Sequence, residues 1–250
     1  MMPPVESADR PAAGGPGRLG RALMRLLTTH ATVVASEPLG ARLRLVSLES
    51  PAFRGIEWSP GQKIQIAMGS AFAARTYTPI EWSAAVGRTG ILGCAHGDGP
   101  GSAWVRTVRP GDGCDIFGPR RSLALRHPSG PLAVVGDETS IGLACALMRQ
   151  DRSRSVSCHF EVDDVGDAGP IMTTLGIDAV TTLYGRRPGD GHLAEMEDGL
   201  SALVGTDASF VLTGKAGTIQ RLRQSLKRHA VPASRIVAKA YWAPGKTGLD

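Results

Sequence analysis

The chain is poor in aromatic residues, which make up 5% of its 250 positions, so a core has to be assembled from Leu, Val, Ile and Ala. It also lacks long hydrophobic runs. No stretch approaches the roughly 18 apolar residues that a spanning helix requires, and no membrane insertion is expected. The first twenty residues are rich in Pro, Gly and Ala and hold no apolar segment of the secretory kind, so a cytoplasmic protein is expected. Cysteine is scarce and its spacing forms no motif. Cys94, Cys114, Cys145 and Cys158 contain no C-x-x-C pair and the six His are scattered, which excludes an encoded zinc site or disulfide framework and leaves free thiols. Charge of one sign is not in large excess either. Lys and Arg number 28 against 23 Asp and Glu, a net +5 that is dispersed along the chain, and nucleic-acid binding is not expected.

What is present is an apolar content of 42%, ordinary for a globular protein, with 32 Gly and 17 Pro, too many for a helix bundle. Residues 15–20 read Gly-Pro-Gly-Arg-Leu-Gly, formally the dinucleotide pattern G-x-G-x-x-G. That pattern works only where a strand delivers it and a helix receives the pyrophosphate, and no apolar strand precedes it here. A flexible tail is expected over 1–22, with a short helix over 18–29.

Residues 23–128 carry the punctuation of an antiparallel β domain, with strands expected at 32–36, 42–49, 63–68, 90–96 and 115–117. Pro60-Gly61, Pro110-Gly111 and Gly118-Pro119 separate them, and a small closed barrel is expected, although an open sandwich has the same periodicity. At residue 129 the pattern changes. Leu132-Ala133-Val134-Val135 is a continuous apolar run, as in a strand buried on both faces, and a helical segment follows over 140–150. Strand signals at 156–162, 180–184, 210–213 and 236–241 alternate with helical stretches at 193–204 and 218–229, so residues 129–250 read as an open α/β domain.

Three local signals carry chemistry. Arg75-Thr76-Tyr77-Thr78 offers a forked cation for phosphate, a flat ring for a heterocycle and a hydroxyl donor, though an ordinary strand surface has the same composition. His96-Gly97-Asp98-Gly99-Pro100-Gly101-Ser102-Ala103-Trp104 joins a Gly-rich turn to a short helix, with Ser102 as N-cap and the amides of 101–103 converging on an anion. A plain capped turn fits equally. Gly136-Asp137-Glu138-Thr139-Ser140 ends the first α/β strand, where open sheets bind ligands; its acids fit ribose hydroxyls, a flavin edge or a helix cap, not a second phosphate.

The order R-x-Y-T, H-G-D-x-G-P-x-S-x-W, G-D-E-T-S and Tyr241-Trp242 resembles the siderophore-interacting protein family of FAD-dependent ferric-siderophore reductases, over about residues 28–246. The resemblance implies a ferredoxin-reductase-like fold, an N-terminal FAD-binding β-barrel followed by an NAD(P)-binding-like α/β domain. It implies FAD as cofactor and NAD(P)H, or alternatively ferredoxin, as electron donor. Arg75, Tyr77 and Thr78 then look like flavin contacts, with Tyr77 and Thr78 nearest the chemistry, and Gly99, Gly101 and Ser102 look like a pyrophosphate nest. His96, Asp137, Glu138, Thr139 and Trp242 complete the implied cofactor set, and Lys239 and Lys246 are the implied contacts of an anionic ferric siderophore. Two positions depart from the pattern. Ile80 stands where family members commonly carry a second basic residue, and Ala243 follows Tyr-Trp where they often carry another, so weaker FAD binding and weaker anion capture are expected.

The expected activity is reduction of a ferric siderophore by a monomeric flavoprotein, because Fe(III) takes one electron, a nicotinamide gives two, and a flavin mediates between them. Two rivals remain: a flavin reductase of the same fold with another acceptor, and a redox-inactive siderophore-binding homologue. Arg186, Arg187 and Lys215 join Lys239 and Lys246 as candidates for steering an anionic chelate.

Overall fold

The computed structural model describes residues 27–70, 73–123, 125 and 130–246. The tail expected at 1–22, the glycine pattern at 15–20 and the boundary between 128 and 129 lie outside the described residues. So does most of the helix expected at 18–29, and its last residue, Thr29, instead opens a strand.

Seven strands form the first sheet: β1 (Thr29–Leu39), β2 (Leu43–Glu49), β3 (Gln62–Ser70), β4 (Ala73–Tyr77), β5 (Pro79–Ser83), β6 (Arg88–Cys94) and β7 (Gly113–Arg121). They are antiparallel in the order β4-β3-β7-β1-β2-β6-β5. The antiparallel domain is as expected, but no closed barrel forms among the described residues, because β4 and β5 stand at opposite edges without pairing. The covalent chain joins those edges instead. A single residue, Thr78, separates β4 from β5, so the sheet must curl until its two edges meet there. Inside the curl, Val33, Val46, Leu48, Ile64, Ile66, Ile91 and Ile116 form a core closed at one end by Phe53, whose ring lies 4.8 Å from that of Trp82. Helix α1 (Pro100–Thr107) connects β6 to β7.

The second sheet is wholly parallel, in the order β10-β9-β8-β11-β12, from β8 (Leu132–Asp137), β9 (Val156–Val162), β10 (Thr181–Gly185), β11 (Ser209–Lys215) and β12 (Ile236–Trp242). Helices α2 (Ile141–Gln150), α3 (Val165–Leu175), α4 (His192–Val204) and α5 (Ala216–Arg228) cover its faces. The period of two explains the apolar run. Leu132 and Val134 join one core with α2 and α3, while Ala133 and Val135 join the other with α4 and α5. Helix α3 has no counterpart among the expected elements, because Gly166, Gly169 and Pro170 obscure it. Asp164 caps it by accepting from Gly166 and Asp167 N–H, and burial of Ala168, Ile171 and Met172 holds it. Among the described residues no helix is long and apolar enough to cross a membrane.

The two sheets share apolar packing. Leu43, Ile80 and Leu92 of the first sheet lie in the same cluster as Ile141, Leu143 and Ala144 of α2. Ile80, 2% exposed, packs so closely that a Cβ on Gly142 would come within 3.3 Å of its Cγ2. Ile80 is therefore an apolar tie between the halves. Truncation of Ile80 to Ala should lower the unfolding free energy by about 2–5 kcal/mol, read from urea denaturation. An unchanged midpoint would contradict the shared packing.

Candidate functional site

Where β4 turns into β5 the first sheet faces the carboxyl end of the second, and a cavity of about 380 Å³ opens between them. Arg75, Tyr77 and Thr78 line it, as do His96, Gly99, Gly101, Ser102, Thr139, Lys239, Trp242 and Lys246. Asp137 and Glu138 do not. A hollow of about 470 Å³ lies elsewhere, between the C-terminal ends of α2 and α3. It sits at the amino end of the parallel strands, away from the crevice such sheets use, and its Arg149 is already paired with Glu81 at 2.7 Å.

Pairing of β4 with β3 sets Tyr77 opposite Ile64 and Arg75 opposite Ile66. Alternation should separate Arg75 and Tyr77 from Thr76 and Thr78, yet all four border the cavity, because β4 is an edge strand ending at the turn into β5. Arg75 lies along the first turn of α1: a Cβ on Gly101 would stand 2.8 Å from Arg75 Cγ. Its Nη1 donates to the Ala74 carbonyl at 2.8 Å. Burial raises the Tyr77 phenol above its usual pKa, so it stays a neutral ring with an O–H, and that ring lies 5.6 Å from the Trp104 ring.

The cap of α1 differs from the expected one. Gly99, not Ser102, is the N-cap, because Pro100 occupies the first helical position, and the first helical bond runs from Ala103 N–H to the Gly99 carbonyl at 3.0 Å. The Gly101 and Ser102 amides therefore precede any intrahelical acceptor and form the anion-facing pair, while the Ala103 amide is used. With the Arg75 stem packed on Gly101 beside them, the donor set fits a pyrophosphate, and Tyr77, Thr78 and Trp242 fit the isoalloxazine end of a flavin.

The far wall comes from the second sheet. Tyr241 lies beside the side chains of Thr78 and Thr213, and burial raises its phenol pKa. The Trp242 ring stacks on His96 at 5.2 Å and donates from Nε1 to Asp137 Oδ2 at 2.8 Å. Asp137 is fully buried beneath the wall. Its Oδ2 also accepts from Lys215 N–H at 2.8 Å, and its Oδ1 accepts from Thr139 N–H at 2.8 Å and from the Thr139 hydroxyl. Burial raises its pKa against the pull of those donors. Gly214 (φ 105°) lets the backbone pass, since a Cβ there would sit 2.5 Å from Asp137 Oδ2. Glu138 turns away and is clamped by Arg186, Nη1 to Oε1 at 2.8 Å and Nη2 to Oε2 at 2.7 Å.

Of the cations expected to steer an anion, Arg186 is thus committed to Glu138, Arg187 to Glu195 at 2.6 Å and Lys215 to Asp190 at 3.2 Å. Lys239 and Lys246 face the cavity, Lys239 donating to Ser122 at 3.0 Å. The sequence reading missed Ala74, Leu92, Cys94, Ser122 and Gly142 as lining residues. Only Cys94, at the end of β6 two residues before His96, carried a positional signal.

The antiparallel sheet followed by a parallel α/β sheet is a ferredoxin-reductase-like fold. Residues 62–123, which hold the Arg75 strand and the α1 turn, match the siderophore-interacting FAD-binding domain, which bears out the resemblance and makes FAD the cofactor. The siderophore-interacting protein SipS of Aeromonas hydrophila superposes with a TM-score of 0.71 at 23% identity, over 88% of this chain and 93% of that one. A siderophore utilization protein of T. fusca gives 0.67 at 20% identity, over 89% and 95%. The flavohem-like FAD/NAD binding domain of Vibrio cholerae nitric oxide dioxygenase gives 0.69 at 16% identity, over 86% and 99%. A comparison with curated protein sequences gives no significant match.

Two measurements follow. Gly101→Ala should displace Arg75 and weaken FAD binding about 10- to 100-fold, the worth of a charge-assisted bond, in a fluorescence titration; unchanged affinity would separate Arg75 from the cofactor. Burial pushes the thiols of Cys94 and Cys158 up to about 12 and those of Cys114 and Cys145 up to about 11. At pH 8 roughly one thiol in a thousand or fewer is ionised, so iodoacetamide should label the native protein slowly and all of its cysteines after denaturation.

Proposed function

We propose that the protein is an FAD-dependent reductase of ferric siderophores, acting as a cytoplasmic monomer that releases Fe(II) with electrons from NAD(P)H, or alternatively from ferredoxin. The carrying observation is the cavity itself, which sets flavin-type contacts on one wall and Lys239 and Lys246 on the other. When bound, the flavin supplies the conversion of a two-electron donor into one-electron steps. The family match and the likeness to SipS support the choice of acceptor.

In this reading the chain's own residues bind, orient and shield. Arg75 and the Gly101 and Ser102 amides hold the pyrophosphate. Tyr77 offers a neutral ring, and Thr78, beside Tyr241, presents its hydroxyl to the edge of the isoalloxazine. Trp242, held between His96 and Asp137, limits access from the second sheet. Lys239 and Lys246 attract an anionic chelate, whose iron is substrate and keeps the ligands of its own siderophore. On reduction the hard oxygen donors lose affinity for the metal, so Fe(II) leaves without needing a protein ligand.

The test is anaerobic. Protein-bound FAD is reduced, mixed with ferric hydroxamate or catecholate chelates, and followed by flavin reoxidation together with an Fe(II) trap. Reoxidation should be fast and should slow as salt rises, because a Debye length of about 10 Å at 0.1 M screens the attraction. Lys239→Ala and Lys246→Ala should lower the rate and flatten its salt dependence. A flavin that stays reduced against the chelates but is reoxidised by a quinone or a protein favours the general flavin reductase. A colourless protein that binds the chelate without turnover favours the redox-inactive homologue.

A further inference from the structure

In an open parallel sheet the ligand crevice lies outside the carboxyl ends of the strands, where the strand order reverses, here between β8 and β11. In this protein that crevice is filled by the chain's own charges. At the end of β8, Asp137 takes the Thr139 amide, and it takes the Lys215 amide at the end of β11, each at 2.8 Å. At the end of β9, Glu161 is fully buried and accepts from Thr218 Oγ1 at 2.7 Å and from His192 Nε2 at 2.8 Å. His192 Nδ1 accepts the Arg187 amide at 3.2 Å, so the proton sits on Nε2. Just beyond β10, Arg186 clamps Glu138 and also pairs with Asp163, which Arg42 from the first sheet pairs in turn.

A dinucleotide is anchored at such a crevice by helix-terminal amides on its pyrophosphate, an acid on its ribose hydroxyls and a cation on any 2′-phosphate. Groups of each of those kinds stand here and are already engaged at the ends of β8, β9, β10 and β11. The amides are on Asp137, the acid is the internal Glu161, and the cation Arg186 is held by Glu138 and Asp163. The buried or paired carboxylates Asp137, Glu138, Glu161 and Asp163 would also repel a pyrophosphate. Of the crevice residues only Thr139 reaches the wall of the flavin cavity.

We propose that the α/β half does not anchor a pyridine dinucleotide, and that dihydronicotinamides reduce the flavin through the nicotinamide ring alone. This rests on the flavin reading of the cavity. In the step, the hydrogen at C4 leaves with its electron pair and adds to the flavin, which takes the accompanying proton from water; the donor becomes the pyridinium cation. The adenosine half then contributes nothing, and NADH, NADPH and reduced nicotinamide mononucleotide are equivalent donors.

The experiment has two arms on the full chain. In the first, ADP-ribose and 2′-phospho-ADP-ribose are titrated calorimetrically into FAD-loaded protein, whose own pyrophosphate fills the nest at Gly101 and Ser102, and no saturable heat is expected up to about 1 mM. Binding of either probe tighter than about 100 μM overturns the proposal. In the second, FAD-loaded protein is reduced anaerobically by the three donors. Their second-order rates should agree within about threefold and rise linearly with donor, whereas saturation or a preference of about tenfold or more for a dinucleotide overturns it. A protein that fails to load FAD defeats the flavin reading, and the same titration of the unloaded chain then decides whether the crevice is closed.

Discussion

The carboxylate of Asp137 is the contact on which the rest of the structure depends. It ends β8, receives the backbone of β11 through Lys215 N–H, receives β12 through Trp242 Nε1, and caps the start of the helical segment that leads into α2 through Thr139. Once buried, such a carboxylate is tolerable only when its lone pairs are filled, and here they are. The cost of burial is offset by fixing three strand ends and one cavity wall at a single point. The same saturation occupies the Thr139 and Lys215 amides, so one side chain shapes the cavity wall and, in the proposed reading, closes the neighbouring crevice.

A second constraint works from the opposite wall. The first sheet does not close by hydrogen bonds, and the single residue between its edge strands brings the edges together. That junction delivers Arg75, Tyr77 and Thr78 to one place and leads directly into Ile80, which packs on α2. The proposed cofactor contacts and the packing between the halves are therefore consecutive in sequence. A cation at position 80 would sit in apolar packing rather than in the cavity.

Much of this was legible in the sequence, and the limits are specific. Leu132-Ala133-Val134-Val135 announced a doubly covered strand because both faces of β8 are buried. The Arg75 run, the Gly99–Ser102 turn and Trp242 came together as the motifs implied, since each carries its own chemistry wherever the fold delivers it. The cap of α1 was misread although Pro100 marks the first helical position and so points to Gly99. Helix α3 was hidden by its glycines and proline, and its stability comes from burial that only the tertiary structure supplies. Asp137 and Glu138 looked like cavity residues, but the partners that turn them away, Trp242 and Arg186, are distant in sequence.

The central claim is that the Arg75 strand and the first turn of α1 hold the pyrophosphate of FAD while Tyr77 and Thr78 meet its ring. Titration of apoprotein with FAD and with riboflavin, followed by flavin fluorescence, separates the two contributions. In the wild type FAD should bind at least about tenfold more tightly than riboflavin, the worth of a charge-assisted phosphate contact, and Arg75→Ala should bring the two affinities together. Equal affinities in the wild type, or a preference for FAD that survives in Arg75→Ala, would contradict the account.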